Sequence, residues 1–157
     1  MAMGNRGYTL VESIVAMAIL GILFAIALPS FYSWSQSLKF KEAAWSLLGD
    51  LRTAKQLSVS TNLEHRVEVD IPSKRFRLTR GDRPSGSTAW SAVRPWRDLP
   101  ATVRYASGED CDNASAVEIT FKPNGSAQSA VLCVKDPPST VKYRINVNAT
   151  SGRPSIS

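Results

Sequence analysis

The chain of 157 residues carries 19 Lys plus Arg against 13 Asp plus Glu, 43% hydrophobic residues, two Cys and one His. This is the arithmetic of one globular domain with a basic balance, and it excludes a wholly disordered chain and a collagen-like repeat. A lone His65 and two cysteines leave a four-ligand zinc site without its usual donors, so no metal and no other cofactor is expected.

Residues Met1 to Gly7 hold one charge, Arg6, and are followed by Tyr8-Thr9-Leu10-Val11-Glu12-Ser13 and then by Ile14 to Leu28, a run without a polar side chain. As a helix, Tyr8 to Leu28 would be about 31 Å long, close to the roughly 30 Å hydrocarbon thickness of a bilayer. A single membrane span over 8–28 is therefore expected. The competing reading is a cleavable secretory signal. Against it stand the missing small-x-small site after Leu28, the single basic residue, and Glu12 inside the apolar stretch, where a carboxylate is costly and needs a partner.

Pro29 lacks an amide proton and disfavours helical geometry in the residue before it, so a kink or local melting is expected there. The helix then resumes as an amphipathic continuation over 29–60. Phe40, Ala44, Leu47, Leu48, Leu51 and Ala54 recur at spacings of three and four, which points one face at a soluble domain. The mixed charges of the other face argue against a helix lying on a membrane surface.

From residue 61 to 157 the pattern changes to short β-rich runs: Arg66 to Ile71, Arg75 to Thr79, Thr102 to Tyr105, Ala116 to Phe121, Ala130 to Val134 and Val141 to Val147. Period-2 alternation is clear in Val67, Val69 and Ile71, and turn signals such as Pro123-Asn124-Gly125 separate the runs. The expected class is α+β: a long N-terminal hydrophobic helix packed on a small antiparallel β-sheet or β-sandwich domain.

The segment Gly7-Tyr8-Thr9-Leu10-Val11-Glu12, its apolar helix and Pro29 resemble the class III leader of type IV pilins and type II secretion pseudopilins. The resemblance implies that residues 1–7 are a leader cut by prepilin peptidase between Gly7 and Tyr8, and that Tyr8 becomes the N-methylated first residue. The new ammonium group would then stand four residues before Glu12. In low dielectric the two opposite charges attract strongly and neither tolerates isolation. The family implies that Glu12 of an incoming subunit meets the Tyr8 amine of its neighbour; a pair within one chain is the other arrangement.

Further along, Asp50-Leu51-Arg52-Thr53-Ala54-Lys55, His65-Arg66-Val67-Glu68-Val69, Ile119 to Gly125, Val131-Leu132-Cys133 and Gly152-Arg153 look like the GspH/FimT-type group of minor pilins and pseudopilins. Gly81 to Trp96 matches least. The group's fold implies two small antiparallel sheets packed with the helix. Its functions imply three roles: a minor pilin that helps initiate or cap a type IV pilus, an H-type pseudopilin of type II secretion, or a DNA-binding minor pilin for natural transformation. The implied partners are other pilins or pseudopilins, prepilin peptidase, the inner-membrane assembly platform, membrane lipid and, for the third role, DNA. The implied location is the bacterial inner membrane as a single-pass protein, then a pilus or pseudopilus in the periplasm or at the cell surface.

In an oxidising compartment Cys111 and Cys133 are expected to form a structural disulfide worth roughly 3 kcal/mol on the loop-entropy account; a redox pair would need closer spacing. Between Lys74 and Arg104 eight basic residues face two acidic ones, a net +6. Arginines suit phosphates and Trp90 and Trp96 suit base stacking, so Arg75, Arg77, Arg80 and Arg83, with Arg153 in the tail, are candidate DNA contacts. A solvated strand face with inter-subunit salt bridges explains the same residues. The family's tail has a second arginine where this chain has Ser155. No catalytic motif appears, His65 is expected to be exposed or capping, and the protein is expected not to be an enzyme.

Overall fold

The computed structural model describes residues 9–137 and 139–157. Gly7 and Tyr8, the expected cleavage pair, lie outside the described residues. One helix, α1 (Leu10–Thr61), precedes nine strands: β1 (His65–Asp70), β2 (Arg75–Gly81), β3 (Trp90–Ala92), β4 (Arg97–Asp98), β5 (Arg104–Ser107), β6 (Val117–Phe121), β7 (Ala130–Lys135), β8 (Val141–Val147) and β9 (Pro154–Ile156). Two compact units divide the chain, the first ending at Ser37 and the second covering Leu38–Ser157.

In the first unit α1 runs through Pro29. The local melting expected at this proline does not occur, because Pro29 removes only its own bond to the Ala25 carbonyl while neighbouring turns keep theirs. Every described residue from Leu10 to Leu28 is exposed, including Ile14, Leu20, Phe24 and Ile26. An all-round apolar helix without protein cover is the pattern of a segment whose partner is lipid or other helices.

The second unit is built on the remaining turns of α1. Phe40, Ala44, Leu47, Leu48, Leu51 and Ala54, the six residues of the expected stripe, are all buried, joined by Ala43. They meet the inward faces of two antiparallel sheets, one in the order β3-β2-β1-β6 with β4 also on β2, the other β5-β7-β8-β9. Val67, Val69, Phe76, Leu78, Ile119 and Phe121 come from the first sheet; Tyr105, Leu132, Val134, Ile145 and Val147 come from the second, and all belong to one core. Each such side chain contributes about 1.5–3 kcal/mol on leaving water. The Tyr105 hydroxyl, also buried, donates to the Ala43 carbonyl at 2.9 Å and ties β5 to the helix.

The six expected strands are present, Val141–Val147 with the expected bounds and the other five with shifted ends, whereas β3, β4 and β9 were not expected. Those three hold only two or three residues each, too few for an alternation to register. The β9 connection turns on Gly152, which has φ +56°, and a Cβ there would stand 2.3 Å from the Gly125 carbonyl oxygen. Gly152→Ala is therefore expected to destabilise the fold by about 1–3 kcal/mol through strain and overpacking, measured as a lowered denaturant midpoint at constant m-value.

Candidate functional site

The start of α1 is closed by Thr9, whose Oγ1 accepts from the Glu12 amide at 3.2 Å, while the Ser13 amide donates to the Thr9 carbonyl at 3.2 Å. Thr9-x-x-Glu12 has the spacing of a capping box, with the carboxylate in the first turn, where the helix end is positive. The sequence reading passed over Thr9, although the Thr-x-x-Glu spacing was there to find. Glu12 stands exposed in that turn, between Val11 and Ser13 and just ahead of the apolar run from Ile14.

The second feature is the outward face of the first sheet. On β1 the parity that sends Val67 and Val69 inward sends Arg66, Glu68 and Asp70 outward, and the register sets Glu68 opposite Arg77 on β2 and opposite Glu118 on β6. Glu68 is 7% exposed. Its Oε1 accepts from Arg66 Nε at 2.8 Å and Thr79 Oγ1 at 3.2 Å, and its Oε2 from Arg77 Nε at 2.6 Å. Burial pushes the Glu68 carboxyl up, but the hydrogen bonds and charges of Arg77 and Arg66 override this and hold it below the usual range. Arg66 also reaches Glu118 at 2.7 Å, and Arg75 reaches Asp70 at 3.1 Å.

The segment between β2 and β5 forms the edge of this sheet, with β3 and β4 both paired to β2. Trp90 packs against the Arg66 guanidinium at 4.1 Å, and Trp96 lies 4.5 Å and 4.3 Å from those of Arg75 and Arg77. Arg94 pairs with Asp50 of α1, a side chain only 4% exposed, and Arg97 donates to Ser46. The tryptophans are thus occupied by arginines of the same chain.

Of the candidate DNA contacts, Arg75 and Arg77 are engaged as described. Arg83 pairs with its neighbour Asp82 at 3.2 Å and remains exposed. Arg80 is exposed and has the inward parity of Phe76 and Leu78, opposite to that of Arg75 and Arg77. Arg153 is exposed in the turn before β9. The structure therefore spreads the five arginines over both faces of β2, the segment after it and a distant turn.

The prokaryotic N-terminal methylation motif matches residues 2–28. The type IV major pilin protein PilA of Myxococcus xanthus is 30% identical over 137 residues, covering 78% of this chain. The chain thus carries a methylation motif at its N-terminus and is similar to a type IV pilin over most of its length. The match spans 61% of that relative's length. In fold the pilin-like chain is similar to the minor pseudopilin EpsH of the Vibrio cholerae type 2 secretion system, with TM-score 0.61, 11% identity, and 75% and 94% of the two chains covered. It is also similar to the type IV minor pilin FimU of Pseudomonas aeruginosa, with TM-score 0.58, 18% identity, and 79% and 92% covered.

In this pilin-like protein Cys111 and Cys133 form a disulfide, with Cα atoms 5.7 Å apart. Both are fully buried. His65 is the clear correction: it is 1% exposed, inside the fold on the parity of Val67 and Val69, with Nδ1 3.1 Å from the Leu63 carbonyl. That parity was legible in the sequence. Burial lowers its pKa from 6.5, the Leu63 hydrogen bond opposes this, and the Arg80 charge adds to the lowering. A histidine depressed in the folded state binds fewer protons than in the unfolded one, so its stability contribution is complete above pH 6.5 and is lost as pH falls toward the folded value. Folding stability is expected to decline below pH 6.5, and His65→Gln should flatten that limb of a denaturant-midpoint against pH profile.

Proposed function

We propose that this pilin-like protein is a minor pilin that helps initiate or cap a type IV pilus. The observation that supports this reading best is the helix from Leu10 to Leu28, exposed all round and apolar except for Glu12 and Ser13 in its first turns, ahead of a small two-sheet domain. Prepilin peptidase would cut between Gly7 and Tyr8 and methylate Tyr8. The inner membrane would hold the helix until assembly, with the second unit on the periplasmic side. Cohesion would come from packing apolar helices of neighbouring pilins, and register from Glu12 meeting the Tyr8 ammonium of an adjacent subunit, since a lone carboxylate among such helices is costly.

The similarity in fold to EpsH favours a second reading, an H-type pseudopilin of type II secretion. Counting surface pili by electron microscopy in a strain lacking the gene, with and without a complementing copy, separates the two. Loss of pili restored by the copy supports the minor pilin. Normal pili together with lost protein secretion would replace it by the pseudopilin.

A further inference from the structure

A sheet edge can accept a strand from another polypeptide. Among the described residues most edges of this domain are short or already closed. β3, β4 and β9 hold two or three residues each, and β9 starts with Pro154, which has no N–H. β5 is closed at Ser107, which exchanges backbone hydrogen bonds of 2.8 Å and 3.1 Å with Asn113. The end of β6 is closed by the Gln128 amide, which donates to the Thr120 carbonyl at 3.0 Å, and by a bridge between Phe121 and Ala127.

The Gln128 bond also sets the direction of the other peptide groups in β6. Thr120 faces away from β1, and the pairing is regular from His65 opposite Phe121 to Val69 opposite Val117. Glu118, two residues earlier, must therefore face away from β1 as well. Its N–H and C=O have no partner among the described residues. Beside them lies a cleft of about 320 Å³, floored by half-buried Val117, Ala130 and Val131 and rimmed by Ser107, Glu109 and Ser129. Glu109 on the rim and its sequence neighbour Asp110 are exposed and make no ion pair among the described residues, and Glu118, on the opposite face of β6 from Val117, pairs with Arg66.

We propose that the open edge of β6 at Glu118 receives an extended polypeptide segment that places one large apolar side chain in the cleft, flanked by Lys or Arg. The unpaired N–H and C=O select a strand. The valine and alanine floor selects the apolar residue, and the carboxylates of Glu109, Asp110 and Glu118 select the cations.

The test uses the full chain in detergent micelles, with the blocked peptide KVKIKVK as probe and EVEIEVE as its charge-reversed control. Amide exchange at Glu118 should slow at least tenfold with KVKIKVK and stay unchanged with EVEIEVE. Glu118→Pro removes an N–H that faces away from β1, so it should keep a cooperative melting transition and lose binding of labelled KVKIKVK by at least tenfold. No slowing, equal slowing by both peptides, or unchanged binding by the folded proline variant would overturn the proposal. So would slowing that rises with protein concentration in the absence of peptide, because β6 would then be pairing with a second copy.

Discussion

Glu12→Gln is expected to leave the protein inserted in the inner membrane and missing from filaments. Glutamine suits the third helical position of a capping box as well as glutamate does, so the turn closed by Thr9 is retained. What disappears is the negative charge. If that charge pairs with the Tyr8 ammonium of a neighbour, its loss leaves a cation among apolar helices, and breaking such a buried pair costs about 3–5 kcal/mol. At that size the occupancy of a filament position falls by more than a hundredfold on roughly 1.4 kcal/mol per decade. Immunoblots of sheared filaments and of membranes provide the check. Glu12→Gln recovered in filaments at the parent level would remove the charge pair from the assembly scheme and leave Glu12 as a capping residue only. Glu12→Ala is the weaker test, because it removes cap and charge together.

Phe121→Ala is expected to destabilise the second unit by about 3–5 kcal/mol. The ring is fully buried in the core shared by α1 and both sheets, opposite His65 in the β1–β6 register. Its removal leaves a cavity that the surrounding sheets cannot close without moving hydrogen-bonded strands. A domain of this size has only about 5–15 kcal/mol to lose, so the melting transition followed by tryptophan fluorescence should drop by about 10 °C or more. A drop of only a few degrees would mean that the β6 end of the core repacks freely. The apolar span from Leu10 to Leu28 lies in the other unit, so membrane insertion of this variant is expected to persist.

Features carried by local pattern were readable directly. The span follows from the run of apolar residues, the six-residue stripe of α1 from spacings of three and four, and the inward face of β1 from alternation. With two cysteines in the chain, the disulfide had one partner choice. His65 shows a parity that was present but not followed: it falls in step with Val67, Val69 and Ile71, and the structure buries it with Val67 and Val69 at the start of β1.

The arginine-rich stretch shows where sequence pattern ends. Composition alone presents Lys74 to Arg104 as a cationic surface with two tryptophans at hand. The fold brings Glu68 opposite Arg77 and Glu118 next to Arg66, and connects Arg94 to Asp50, 44 residues away. These partners are set by strand register and by the course of residues 82–99 along the β2 edge, neither of which has a period in the sequence. The sequence by itself determined the membrane-length helix, the class of fold and the resemblance to pilins, because hydrophobic spacing and the N-terminal motif are local. Only the tertiary structure decided which charges are neutralised and which sheet edge stays open, because both depend on pairings between residues far apart in the chain.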